Sequence, residues 1–333
     1  MAYKRKIQLT GKSTYTISLP REWIDRMKID QGDELSVMEQ TDGTLIISKE
    51  FLSAQKEKEV IIDLDRIYDV DLLEKIIVSK YLAGYTKIVL QSKNQINPKI
   101  SKVISSTVNN LIGSEIIAED LTQVEIKHIA AYGEFPIDQG LRRAHLIARN
   151  MQIASIEAFI KSDTNGAMDI FERETNVDKL YFLIRRELAT ALSNPSYLKE
   201  LNIKPQEVLY IYPVAKSLEK IADHCESIAK CCFDLNNKKL DEYTQEYLLL
   251  YSKDVLEIHT NAIQAFMSKK MELAIKAIKY FNDLRKKIEE KKISRKKISD
   301  FDVEIQVQLV ERNLDRIGGY GLDIAEMAID RIQ

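Results

Sequence analysis

From about Glu134 to its end the chain is almost free of helix breakers, and this constrains its fold more than anything else in it. Gly140, Gly166, Pro195, Pro205 and Pro213 are the few interruptions before residue 300, and Gly318, Gly319 and Gly321 fall inside the last periodic run. Apolar residues recur every three or four positions, the period of one helix face. The spacing predicts helices at about 137–162, 165–193, 205–235, 239–268, 269–293 and 299–331. Helices this long pack as bundles, not as a solenoid of short repeats. Pro213 falls inside the third, where it removes an amide donor and is expected to kink the helix.

This part also repeats itself. Leu218-Glu219-Lys220-Ile221-Ala222-Asp223-His224 with Ile228-Ala229 stands 96 residues before Leu314-Asp315-Arg316-Ile317-Gly318-Gly319-Tyr320 with Ile324-Ala325. The series 218, 221, 222, 225, 228, 229 returns as 314, 317, 318, 321, 324, 325, as a duplicated three-helix unit requires. The alternative is chance likeness between two amphipathic helices.

The first 131 residues follow other periods. Ile7 and Leu9 alternate with polar neighbours, as do Tyr15, Ile17 and Leu19, the period-two pattern of short strands. Pro20 opens a short helix over Arg21–Met27; Glu34–Glu39 and Thr44–Ser48 flank an Asp42-Gly43 hairpin signal. So small a unit has too few core positions to stand alone, and dimerisation by strand exchange would supply them. After a Lys- and Glu-rich linker at Phe51–Lys58, strand Glu59–Asp65, a helix at about 70–83, strand Lys87–Gln91, a helix at about 98–112 and strands near 114–118 and 123–129 give the order βαβαββ. That order implies a small α+β sandwich with helices on one face of a mixed sheet. Whether its sheet edge binds a ligand or pairs with a twin is open. The expected architecture is thus multidomain: a β head at 1–50, an α+β domain at 59–131, and two three-helix bundles at 134–235 and 239–333.

Forty-nine Lys and Arg against fifty-one Asp and Glu leave a net charge of −2, which excludes a uniformly basic nucleic-acid coat but not a local patch. The patch is at the start. Lys4, Arg5, Lys6, Lys12 and Arg21 all precede the first acidic residue, Glu22. Doubled in a dimer, they would neutralise several phosphates and make binding steeply salt-dependent. Arg5, Lys12 and Arg21 flank strand ends, and Ser13 and Thr14 can donate to phosphate oxygens. The competing reading is a solvated terminus with scattered lysines. Trp23 reads as core rather than as a base-stacking platform.

In the helical part, Glu219 and Asp223 lie four apart on one face, continued by Glu226, and Glu174 and Asp178 do the same on the helix before. If those helices are antiparallel neighbours, four carboxylates converge at the spacing hard cations or iron require. Otherwise they form a solvated acidic edge paired with Arg185, Lys220 or Lys230. Cys225, Cys231 and Cys232 form no disulfide framework and read as small apolar helix filling. His128, His145, His224 and His259 show no mutual metal-binding spacing. No nucleophile elbow, phosphate-binding Gly loop or Ser-His-Asp order occurs, so no enzymatic activity is expected. No run approaches the ~18 apolar residues that span a bilayer, and Met1-Ala2-Tyr3-Lys4-Arg5-Lys6 leads into no apolar signal segment; a cytoplasmic protein is expected.

Leu218–Ala229 resembles the PhoU signature, and Glu174-Thr175-Asn176-Val177-Asp178-Lys179-Leu180 resembles that family's other acidic helix. Thr10-Gly11-Lys12-Ser13-Thr14-Tyr15-Thr16-Ile17-Ser18-Leu19-Pro20 with Gly32-Asp33 resembles an AbrB/SpoVT-type DNA-binding domain. Lys80-Tyr81-Leu82-Ala83-Gly84-Tyr85 resembles a phrase of archaeal regulators that join the two modules. The resemblance implies a cytoplasmic homodimer that negatively regulates phosphate uptake and phosphate-responsive genes. Its swapped-hairpin head would contact operator DNA through Lys4, Arg5, Lys6, Lys12, Ser13, Thr14 and Arg21. Its PhoU-like body would hold a divalent metal or iron on Glu174, Asp178, Glu219 and Asp223. The alternative is an adaptor that docks on a phosphate-transporter ATPase or a sensor protein and uses the head only to dimerise. The second bundle departs from the pattern: Asp315 stands for Glu, but Gly319 and Tyr320 replace Asp and His, and Asn282 stands where an upstream carboxylate is wanted; in the first bundle Lys230 replaces the Glu that ends the signature, which Glu326 keeps in the second. At most one metal site is therefore expected.

Overall fold

The structure is a computed structural model that describes residues 3–39, 43–49, 58–67, 69–130, 135–236, 238–294 and 298–333, side chains of 195 and 289–294 excepted. Asp42 and most of the expected linker lie outside these residues. Two compact units result, one of residues 1–56 and the other holding the rest of the chain apart from a few residues near 195.

In the first unit, β1 (Gln8–Thr10) and β2 (Thr14–Thr16) form an antiparallel hairpin that turns through Gly11 at φ +70°. A helix α1 (Arg21–Met27) follows Pro20, and β3 (Ser36–Glu39) pairs with β4 (Leu45–Ser48). The alternation read from the sequence is present, but it has nothing to face. Ile7, Leu9, Tyr15 and Ile17 are 68%, 57%, 73% and 55% exposed, and no described residue before 50 is buried.

The second unit begins with β5 (Glu59–Asp63), α2 (Val70–Leu82), β6 (Lys87–Gln91), α3 (Pro98–Asn109), β7 (Ser114–Glu119) and β8 (Gln123–His128). The strands lie in the order β5-β6-β8-β7, with β5 and β6 parallel and the other pairs antiparallel. The expected mixed sheet is there. Both helices start on side-chain caps, Asp69 accepting from the Asp71 amide and Asn97 from the Lys99 amide, which satisfies donors a helix end leaves orphaned. Ile62, Ile88, Leu90, Val124 and Ile126 bury one face of the sheet with Leu73, Ile77, Ile104 and Val108 of the helices. On the other face Lys87 bridges Glu59 and Glu125.

The helical part comprises α4 (Ile137–Lys161), α5 (Thr164–Ser193), a short α6 (Pro195–Glu200), α7 (Val208–Asp234), α8 (Glu242–Ser268), α9 (Met271–Ser294) and α10 (Phe301–Ile332). Six long helices match the periodicity, and Pro213 lies within α7. The sequence reading did not include α6, a six-residue stretch too short for periodicity to register. Helices α4, α5 and α7 pack as one bundle and α8, α9 and α10 as another, joined by α4 on α8 and α7 on α10. The two repeated helices therefore pack on each other. Every member of both apolar series is buried, from Leu218 to Ala229 and from Leu314 to Ala325. Such a match of period to burial is what duplication of one packing unit produces.

A buried arginine ties the sheet to the first bundle. Arg186 of α5 donates through Nη1 to the carbonyls of Tyr81 at 2.5 Å and Tyr85 at 2.9 Å, with its guanidinium 4.8 Å from the Tyr81 ring centre. Carbonyls at a helix end carry partial negative charge, so a cation there is favourable. Gly84 turns the chain at φ +79°, and a Cβ on it would lie 3.0 Å from Thr190 Oγ1. The phrase Lys80–Tyr85 thus closes α2 and forms the joint.

Candidate functional site

Helices α5 and α7 are neighbours, and their facing turns carry the acidic residues. Glu174, Asp178 and Asp223 each offer a carboxylate oxygen, all within 4.8 Å of one another, at half-buried positions. Among the described residues no other group of three His, Cys, Asp or Glu comes together this closely.

Glu219 does not join them. Its Oε1 accepts from Lys216 Nζ at 2.6 Å, and its Oε2 lies 3.4 Å from Lys220 Nζ. Lys220 also donates to Asp223 Oδ2 at 2.5 Å. Glu226 is paired with Lys230 at 2.6 Å, while Arg185 stands over the Tyr212 ring at 5.9 Å. Three carboxylates converge and a lysine is attached to one of them, so elements of both sequence readings coexist.

The electrostatics follow from that crowding. Burial, then the charges of Asp178, Glu226, Asp223 and Glu219, push Glu174 up to about 7. Burial and the charges of Glu219 and Asp223 push Asp178 up to about 6 despite Lys216 and Lys220. Burial pulls Lys220 down, but its bond to Asp223 and the nearby carboxylates more than offset this and raise it. Three hard oxygen donors whose mutual repulsion is only partly neutralised fit a hard cation or iron. Such an ion would compete for Asp223 with the Lys220 ammonium on its Oδ2.

The matching turn of α10 is used for packing. His224 Nδ1 lies 2.7 Å from Asn313 Oδ1 and its ring stacks on Tyr320, centres 5.7 Å apart. Arg316 donates to the Tyr320 hydroxyl at 2.9 Å. All three cysteines are buried, with the Cys231 thiol pushed up to about 12 by burial, as filling residues are.

Sequence spacing missed a polar chain between the bundles. His145 of α4 meets His259 of α8, Nε2 to Nδ1 at 3.1 Å, and His259 Nε2 lies 2.8 Å from Gln152 Oε1. Gln152 donates through Nε2 to the Ser252 carbonyl at 2.8 Å. With that amide orientation, His259 donates to Gln152 through Nε2 and accepts from His145 through Nδ1, so the His259 ring is neutral. Burial and the neighbouring Arg149 lower His145 to about 4, and burial lowers His259 well below its ordinary value. The partners are 114 residues apart, so no local motif announces them.

In the head, Lys4, Arg5 and Lys6 precede β1, Lys12 and Ser13 form the β1–β2 turn with Thr14 opening β2, and Arg21 begins α1; all seven are exposed. Arg21 Nε lies 3.9 Å from Asp25, an exposed pair of little energetic weight. Trp23 is half-buried and shares a shallow cleft with Leu19, Pro20, Leu45 and Ile47.

The PhoU domain family model matches residues 141–232, and the model described as antidote-toxin recognition MazE, bacterial antitoxin, matches residues 8–50. No curated protein matches. Among solved structures, the phosphate transport system regulatory protein PhoU from Streptococcus pneumoniae is 20% identical over 58% of this chain and 91% of its own, with a TM-score of 0.46. PhoU from Pseudomonas aeruginosa is 16% identical over 58% and 93%, also with a TM-score of 0.46. No described helix is long and apolar enough to cross a membrane. Residues 141–232 are thus similar to the PhoU domain, behind a segment at residues 8–50 similar to the MazE antitoxin.

Proposed function

We propose that this protein is a regulator of phosphate transport whose head binds operator DNA as a dimer and whose helical body senses the state of the system. The observation that carries the reading is the order of modules, a PhoU domain preceded by a MazE/AbrB-like segment. The head offers Lys4, Arg5, Lys6, Lys12 and Arg21, with Ser13 and Thr14, all exposed and clustered before Glu22. In a dimer the bare apolar sides of β1 and β2 would cover one another and the basic set would double. In the body, Glu174, Asp178 and Asp223 would hold a divalent cation or iron, which supplies positive charge between α5 and α7. Glu219 is the fourth candidate ligand and is committed to Lys216 and Lys220 instead. The setting is the cytoplasm, and the role is non-catalytic.

The test is retention of DNA by the full-length protein across a salt titration, using its own upstream region and phosphate-transport promoters. Specific binding is expected, with affinity falling steeply as salt rises. Lys12→Ala with Arg21→Ala should abolish retention. No specific retention at low salt, or regulation of transport that survives the double variant, would favour the adaptor that docks on a transporter ATPase or sensor protein.

A further inference from the structure

Where α2 meets α5 and α7, a cleft of about 730 Å³ opens at the joint that Arg186 secures. Clefts between structural units are common small-molecule sites. Val78 and Leu82 of α2 and Phe182 of α5 give it an apolar wall.

Helices α5 and α7 contribute two cations to it, Arg185 and Lys216. Arg185 follows Phe182 by three residues, which puts both on one face of α5. No described carboxylate lies within ion-pairing distance of Arg185, whose guanidinium rests only over the Tyr212 ring. Lys216 and Glu219 of α7 line the same cleft, with Lys216 Nζ 4.7 Å from the Tyr181 ring centre and 2.6 Å from Glu219 Oε1. A guanidinium fork and an ammonium lining one cleft suit a phosphate group. The other wall bears Asp71 and Glu74 with Lys75, which repels a polyanion but suits the amino group of a heterocycle.

We propose that this cleft binds a phosphorylated small molecule of nucleoside-monophosphate size, its phosphate on Arg185 and Lys216 and its ring against Phe182 and Leu82. Binding reaches the acidic cluster through charges already in contact. Lys216 pairs with Glu219, Glu219 with Lys220 at 3.4 Å, and Lys220 with Asp223 at 2.5 Å. A phosphate on Lys216 competes with Glu219, which then holds Lys220 more strongly and frees Asp223. Ligand in the cleft therefore favours a cation at Glu174, Asp178 and Asp223, and linkage makes the effect reciprocal. This consequence rests on the cation reading of the cluster; the binding itself does not.

Calorimetry of the full chain with AMP, and separately with inorganic phosphate, tests the site without divalent ions. Saturable AMP binding is expected, tighter than that of inorganic phosphate and about tenfold or more weaker in Arg185→Ala, whose exposed side chain leaves folding unaffected. No saturable AMP binding at millimolar concentration, or equal affinity in Arg185→Ala, overturns the proposal. Inorganic phosphate binding as tightly as AMP overturns the organic ligand. A Mn²⁺ titration with and without AMP, which chelates the ion weakly, then reads the linkage. Several-fold tighter Mn²⁺ binding with AMP is expected, and binding that AMP leaves unchanged refutes the relay. If Mn²⁺ does not bind at all, the cation reading of the cluster fails while the AMP result stands.

Discussion

Glu174 and Asp178 show how far neighbours can move a single carboxyl group. Both are raised, Glu174 to about 7 and Asp178 to about 6. An acid raised in the folded state stabilises the fold below its unfolded value and loses that contribution as pH rises through the raised one. Without divalent cations, the melting temperature should therefore fall between about pH 4.5 and 7. Glu174→Gln should raise stability at pH 8 by about 1 kcal/mol, after discounting for the solvent that reaches this half-exposed group. Mn²⁺ should stabilise the wild type at pH 8 and not at pH 5, because only the deprotonated carboxylates bind it. Thermal melts at both pH values decide the matter, and a destabilised Glu174→Gln at pH 8 contradicts it. The histidine chain carries the opposite sign. His145 and His259 are held neutral, so their contribution is intact above about pH 6.5 and drains as pH falls toward 4. His259→Ala should cost about 3 kcal/mol at pH 7, from a cavity and an orphaned Gln152 carbonyl, measured by urea unfolding.

At the scale of elements, α10 approaches α8 closely only because residue 321 is glycine. A Cβ there would lie 2.9 Å from Ile258 Cγ2 and 3.1 Å from the His259 backbone nitrogen, and a backbone atom cannot swing aside. Gly319, two residues earlier, has nothing within 4 Å of its Cβ position. Gly321→Ala should therefore destabilise by about 1–3 kcal/mol. Gly319→Ala should stabilise by about 0.5–1 kcal/mol through helix propensity. Two melts make the comparison, and equal effects would mean that the helices do not pack at this distance. The departure of Gly319 from the acidic pattern thus has no steric cause, whereas Gly321 has one.

For the molecule as a whole, the contrast is between a unit with a core and one without. The bundles bury both repeats and the sheet buries one face, while the described head buries nothing. An isolated fold of that size with bare Ile7, Leu9, Tyr15 and Ile17 lacks the apolar burial that offsets chain entropy. Light scattering should find the full-length protein as a dimer, and Leu9→Asp should turn it into a monomer without lowering the melting temperature of the bundles. A dimer that survives this change would place the contact elsewhere.

Most of the architecture could be read from the chain because periodicity and burial are local consequences of residue order. The six long helices, the βαβαββ order and the repeat at 218 and 314 follow from where apolar residues fall relative to 3.6 and 2. The acidic pairs at 174 and 178 and at 219 and 223 were legible for the same reason, since residues four apart share a helix face. Which carboxylates would meet was not, because it depends on how α5 and α7 rotate against each other and on whether a lysine reaches the same oxygen. Lys216 and Lys220 hold Glu219 within α7, a pairing that three-residue spacing allows, while the meeting of Asp223 with Glu174 and Asp178 across two helices shows only in the packing. Arg186 on Tyr81 and His145 on His259 are contacts across about a hundred residues, with no spacing to betray them. Residue order determined the elements, their faces and the charge pairs within one helix; tertiary structure alone decided which charged and polar groups of different elements became neighbours, because that follows from the three-dimensional packing of surfaces far apart in the chain.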